Sequence, residues 1–225
     1  MGNIDIVEVF IFFVPFLFSL CFHEFAHGWV AQKKGDNTAE LMGRVTMNPM
    51  AHIDWLGTVI LPIAAIALHL PLFGWAKPVP VNPTNLKNRK NDLFWIAAAG
   101  PLSNILLFVV GLGVASAVYN TGLLQSLPQG QGDLYKKMLT MFLILNLFLA
   151  FFNMIPVHPL DGGKVLARFL SPSANRWLEN NQQTLNMILI AMFVLGFFSY
   201  LSKPVFFVLQ LGLMAVGVNP GEIVY

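Results

Sequence analysis

The sequence predicts an all-α polytopic membrane protein with about five to six membrane-spanning segments. One of these is expected to be re-entrant or broken, and a short extended (β) stretch is expected after it. Two observations carry this reading. Of the 225 residues 56% are hydrophobic and 11% charged, with a mean hydropathy of +0.66, more apolar than a soluble domain. The apolar residues also fall in six runs, at about 6–33, 56–73, 93–119, 138–157, 184–201 and 204–218. The longest stretch outside a dense apolar run, Gly35 to Trp55, is too short for a large soluble domain. Residues 1–225 therefore read as one membrane-embedded domain, with a core at about 6–170 and a C-terminal helical hairpin at about 184–218.

Composition excludes several classes. The net charge is +2 and the basic residues lie in the connections, so there is no nucleic-acid footprint. A single cysteine, Cys21, rules out an internal disulfide and a multi-cysteine metal site. The first residues are acidic rather than basic, so 6–33 is expected to be a retained transmembrane helix, not a signal peptide.

Taken in order, the runs at 6–33 and 93–119 exceed the ~20 residues needed to span, and 138–157 meets that length. The last two runs are shorter and are separated by Ser202-Lys203-Pro204, which reads as the turn of a tight hairpin. Ser171 to Gln183 is a polar connection. Lys33, Lys34 and Arg44 follow the first run; Lys77, Lys87, Arg89 and Lys90 follow the second; Lys164, Arg168 and Arg176 follow the fourth. The bias of lysine and arginine toward the cytoplasm puts all three clusters inside and the N-terminus outside, with Lys136 and Lys137 against the pattern. The run at 56–73 must then dip in and return, and Pro62 and Pro71 interrupt it accordingly. Gly74 to Pro83 is too proline-rich for a helix; its Pro-Val-Pro-Val alternation reads as an extended edge or a surface loop.

The first run ends in His23-Glu24-Phe25-Ala26-His27. Residues four apart share one face of a helix, so His23 and His27 can grip one Zn²⁺ while Glu24 takes a proton from water. A catalytic zinc usually has a third protein ligand. The candidates are Asp5, Asp36, Asp54, Asp92, Asp133, Asp161, the remaining glutamates, His52, His69 and His158. Asp161 stands out because Pro156 and Pro159 stop the fourth run and Gly162-Gly163 free the backbone just beyond it. Irregular backbone at membrane depth lines cavities, and a carboxylate there needs a partner.

These residues, with Asn48-Pro49, His52-Ile53-Asp54, Gly57-Thr58, the Gly74–Pro83 stretch, Ala99-Gly100-Pro101-Leu102-Ser103-Asn104 and Asn153 through Gly163, resemble the site-2 protease family. They are most similar to its small prokaryotic branch without a PDZ domain, over about residues 10–170. The resemblance implies one zinc ion per chain on His23, His27 and Asp161, Glu24 as general base, and Asn153 in contact with the substrate backbone.

Asn104 is a second candidate for substrate contact, or a cap for an interrupted helix. His158 is expected outside the metal shell, His52 and His69 in structural hydrogen bonds, and Asp54 in a turn or N-cap. The expected activity is zinc-dependent hydrolysis of peptide bonds in or near transmembrane segments of protein substrates. The expected location is the cell membrane, multi-pass, with the active site toward the cytoplasm. The partners are the bilayer and a transmembrane substrate, with no nucleic acid. A zinc transporter and a non-catalytic membrane scaffold are the alternatives.

Overall fold

The computed structural model describes residues 6–68, 74–128, 130–196 and 199–222. Among these, all regular structure is helical. Three helices are long and apolar enough to cross a membrane: α1 (Ile6–Lys33), α4 (Arg89–Asn120) and α5 (Gln131–Asn153). Between α1 and α4 lie the short α2 (Thr38–Leu41) and α3 (Leu61–Ala67), the latter continuing a π-helical segment at Trp55–Ile60. In lipid, only a helix satisfies every backbone group within a single segment. The charge-free stretch from Val9 to Phe22 accordingly stays helical through Pro15.

The packing order fixes the directions. His23 and His27 on α1 meet Asn104 and Ile96 on α4 in reverse sequence, so these helices are antiparallel. Phe18 and Ser19 meet Phe142 and Asn146 on α5 in the same sequence, so α1 and α5 run parallel. The end of α1, the start of α4 and the end of α5 therefore share one end of the bundle.

The connection between α1 and α4 begins and finishes at that end. From Trp55 to Ala67 it is helical for about 20 Å, less than the ~30 Å of a bilayer core, and Ile66 packs against the Phe12, Phe16 and Leu20 cluster. The chain then returns along α1. Ala76 sits in that same cluster, Val79 lies against Gly28, and Val81 packs by Ala31. His69 and Pro71 lie outside the described residues.

Residues 75–82 do not form the expected strand. The N–H groups of Trp75, Lys77 and Val79 go to Gly57 O, His52 O and Glu24 Oε2. Alternate residues facing one way mark an extended chain. Pro78 and Pro80 have no N–H to give, however, and cannot sustain a ladder. Side chains hold the segment instead: Thr58 donates to Trp75 O, Arg44 to Lys77 O, and Asp36 accepts from Asn82 N–H.

Beyond α5 come α6 (Asp161–Ala167), α7 (Pro172–Asn180), α8 (Gln182–Val194) and α9 (Ser199–Ala215). The polar connection expected at Ser171 to Gln183 is largely α7, capped by the Ser171 hydroxyl. Val205, Leu209 and Leu213 of α9 complete a core with Phe108, Leu112 and Ala115 of α4 and Leu143 and Leu147 of α5. The C-terminal break is not at Ser202-Lys203-Pro204. It falls near Gly196, which adopts a left-handed φ of 73°, and α9 runs on through Pro204. Glycine ends a helix cheaply in that conformation. Pro204 is the sixth residue of α9, where it removes one intrahelical bond without ending the helix.

Asp36 ties the returning segment to the end of α1. Its carboxylate accepts from Thr38, Asn82 and Asn85. Burial pushes its pKa up, but the hydrogen bonds outweigh burial and hold it below the ordinary carboxylate value. A depressed folded-state pKa contributes stability that is present above the unfolded value, ~3.9, and is lost as pH falls through the folded one. Asp36→Asn should accordingly speed hydrogen exchange at the Asn82 amide at neutral pH. Wild type should show the same loosening only well into acid. Equal exchange in the two proteins at pH 7 would remove Asp36 as the tie.

Candidate metal centre

Three buried side chains from distant parts of the sequence converge at the shared end of α1, α4 and α5. Helical spacing stacks His23 and His27 on the face of α1 that meets α4. Asp161 is brought to them by the proline-broken turn after α5, where Leu160 is still extended and Asp161 opens α6. Its Oδ2 lies 3.2 Å from His23 Nε2 and 3.1 Å from His27 Nε2, and the two Nε2 atoms are 3.1 Å apart. Among the described residues these three form the one cluster of potential metal ligands.

Their hydrogen bonds settle which atoms face inward. His27 Nδ1 lies 2.6 Å from the Ile96 carbonyl, which can only accept, so Nδ1 carries a proton and, in the neutral ring, Nε2 keeps its lone pair. The tautomer of His23 follows from a longer chain. Asn146 Nδ2 donates to the Phe142 carbonyl and to Ser19 Oγ, which turns its Oδ1 toward Asn104. Asn104 Nδ2 donates to that oxygen and to the Ser19 carbonyl, which leaves Asn104 Oδ1 to accept from His23 Nδ1 at 2.6 Å. Two backbone carbonyls thus orient both amides, and His23 Nε2 is left unprotonated.

With both rings neutral, the form that binds a metal, three lone pairs point at one another across about 3 Å. A small cation resolves that repulsion. A tetrahedron of ~2.0–2.1 Å zinc bonds has edges of ~3.3 Å, close to the spacing observed, and two imidazoles with a carboxylate are ordinary zinc donors. The donor set fits zinc.

Glycine makes room for this arrangement. A Cβ on Gly100 of α4 would collide with the Nε2 atoms of both His27 and His23, so only a bare backbone can back this face. A Cβ on Gly162 would strike the Met154 and Ile155 carbonyls, which fold over the first turn of α6. Lys164, one turn along, approaches Asp161 Oδ1 at 3.7 Å.

The other candidates are placed as follows. Glu24 is half-buried and accepts from Val79 N–H at 3.0 Å. Asn104 is sealed from solvent, 0% exposed, and its amide is spent on His23, Ser19 and Asn146. It positions a histidine and neither lines an open surface nor caps a helix. Asn153 is half-buried at the end of α5 and donates to Leu149 O within its own helix. His158 lies outside the cluster. His52 is buried with Nε2 on Thr46 O, and Asp54 caps the Trp55 segment through Gly57 N–H. Sequence reasoning missed Ser19 and Asn146 as parts of this site, and it named Gly100 only within the family resemblance, with no role. For Asn146 the available signal was an asparagine inside an apolar run.

Partners that orient a ligand histidine typically carry a 10–100-fold share of metal affinity. Asn146→Leu should weaken zinc binding by that order in competitive chelation, as should Asn104→Leu. Gly100→Ala should exclude the ion outright. Wild-type affinity in both asparagine variants would show that the chain does not govern the site.

The comparisons with known proteins agree with the geometry. The model of Peptidase family M50 matches residues 11–135 and 131–197. The protein named "Putative zinc metalloprotease YwhC" of Bacillus subtilis is 31% identical over 193 residues, covering 85% of this chain and 83% of that protein. "Putative zinc metalloprotease Rip2" of Mycolicibacterium smegmatis is 27% identical over 190 residues, covering 84% and 68%. No solved structure matches the chain. The family match takes in α1 with its two histidines, α4 with Gly100 and Asn104, and the turn that carries Asp161, and on that footing the chain belongs to peptidase family M50, the site-2 protease family.

Proposed function

We propose that this chain is an intramembrane zinc metalloprotease that hydrolyses peptide bonds in or near the transmembrane segments of membrane-protein substrates. The observation that carries the reading is the convergence of three lone pairs from His23, His27 and Asp161, with Glu24 next in sequence to the first. Zinc at that position, one ion per chain, supplies a Lewis acid that polarises a carbonyl and acidifies water. Glu24 accepts the proton of the attacking water as its oxygen joins the scissile carbonyl carbon. It then passes that proton to the departing nitrogen as the C–N bond breaks. We assign Asn153, at the end of α5, to hold the substrate backbone in register. A helical substrate hides its carbonyls in intrahelical bonds, so it must unwind before it can react.

The same reading places the segment from Trp55 through the returning stretch as a re-entrant loop. Its support is that α1 and α4 are antiparallel neighbours, that the connection leaves and rejoins at one end, and that its helix is too short to span. With α9 and the apolar run containing α8 also in the bilayer, the chain would have about five crossings plus the loop. The metal end would face the cytoplasm, since Lys33, Lys34, Arg44, Lys77, Lys87, Arg89 and Lys90 flank that end. Trp29, Trp55, Trp75, Trp95 and Trp177 are all well exposed, and interfacial tryptophans suit a headgroup layer there. The host would be the cell membrane.

Glu24→Gln should lower cleavage of a quenched-fluorophore, single-span peptide by about 10²–10⁴-fold while zinc stays at one per chain. Retained cleavage would sink the base assignment. Asp161→Ala should lose both activity and metal, and unchanged zinc content in that purified variant would remove Asp161 from the ligand set.

A further inference from the structure

Arg44 is buried, 7% exposed, yet among the described residues no carboxylate pairs with it. Among the described residues its Nε has no hydrogen-bond partner either. A buried guanidinium without a counter-charge is costly, so what it does contact is informative. Nη2 donates to the Lys77 carbonyl at 2.5 Å and to the Pro78 carbonyl at 3.3 Å. The Pro78 carbonyl belongs to the same peptide unit as the Val79 N–H, and that N–H donates to Glu24 Oε2 at 3.0 Å. A single peptide group therefore joins the arginine to the glutamate, guanidinium at its oxygen and carboxylate at its hydrogen.

We propose that Arg44 is a positioning residue for Glu24, acting through the Pro78–Val79 peptide. A cation at the carbonyl polarises the peptide and strengthens its N–H as a donor, as in any hydrogen-bonded chain in a low-dielectric setting. The flanking residues make the device specific. Pro78 and Pro80 have no N–H, so Val79 provides the sole backbone donor over three residues. Lys77 N–H on His52 O, and Val79 packed where a Cβ on Gly28 would lie 3.3 Å from its Cγ1, hold the peptide against α1. One carboxylate oxygen of Glu24 is tethered in this way and the other stays available for the proton. Arg44 itself is presented by the turn that ends α2, with Gly43 at a φ of 65°.

The inference rests on Glu24 as general base, and its test separates the two. The proline flanks make Val79 the only exchangeable amide of residues 78–80, so hydrogen exchange of that segment in the purified, zinc-loaded full chain reads one bond. Glu24→Ala and Arg44→Gln should each speed that exchange at least tenfold. On the same single-span peptide, Arg44→Gln should lower kcat at least tenfold with KM within about twofold and zinc still one per chain. Arg44→Lys, which restores a cationic donor, should recover part of the loss. Should Arg44→Gln fail to fold, Val79→Pro, which removes the N–H together with the valine side chain, should fall at least tenfold below Val79→Ala, which removes the side chain and keeps the N–H. Full kcat in Arg44→Gln, or wild-type exchange at Val79 in Glu24→Ala, overturns the proposal. Activity surviving in Glu24→Gln would instead overturn the base assignment and leave the exchange result to judge the tether.

Discussion

Three acceptor atoms held about 3.1 Å apart in an apolar bundle are the constraint on which the rest of this structure depends. In water such a cluster would disperse. Here His27 Nδ1 is committed to the Ile96 carbonyl and His23 Nδ1 to Asn104, so neither ring can turn its proton inward. Asp161 is fixed by a turn in which Met154 and Ile155 lie over Gly162. A 138-residue separation in sequence means that α1, α4 and α5 must all be packed before the cluster exists. The apolar cores on either side, Phe12 and Phe16 at one flank and Leu143 with Leu209 at another, are what hold those helices in register.

The buried polar chain follows from the same constraint. An imidazole held in one tautomer needs an acceptor of fixed direction, and an amide is directional only if its own two ends are fixed. Asn104 is oriented by Asn146 and the Ser19 carbonyl, and Asn146 by Ser19 and Phe142. Each member is satisfied, which is the condition under which buried polar groups add rigidity instead of cost. α5 thus acts at two points. Asn146 sets the first histidine through Asn104, and the turn beyond its C-terminal end delivers the aspartate.

Much of this was legible in the sequence, and the failures have physical reasons. His23 and His27 announce themselves because helical periodicity is local. Asp161 does so because two prolines and two glycines break an apolar run at a carboxylate. Asp54 reads as a cap from its position before Trp55. Asn104 did not yield to the same logic, since an amide in an apolar helix can bond substrate or protein and only tertiary packing decides. Asn146 and Arg44 act across helices or loops 42 and 33 residues from their partners, a distance at which sequence spacing carries no information. The C-terminal break was misplaced because Lys203-Pro204 looks like a stop. Pro204 removes one bond inside α9 without stopping it, whereas Gly196 in the left-handed region follows the end of α8.

The returning stretch shows how the protein can be extended without being a strand, and why that matters for a substrate. From Trp75 to Val79 every second N–H is taken by the protein, and Pro78 and Pro80 have none. Over residues 78–80 the stretch can therefore offer a neighbouring chain only acceptors. A transmembrane helix that unwinds beside it exposes donors and acceptors in equal number, and in a bilayer both must be satisfied. On the proposed reading the two needs divide between two surfaces. Substrate N–H groups find carbonyls on the proline-rich side, and the scissile carbonyl turns toward the histidines and aspartate. On the same reading, a segment already interrupted by its own glycine, proline or asparagine would lose fewer intrahelical bonds in reaching that state, and would therefore cost less to present to the site than an unbroken helix.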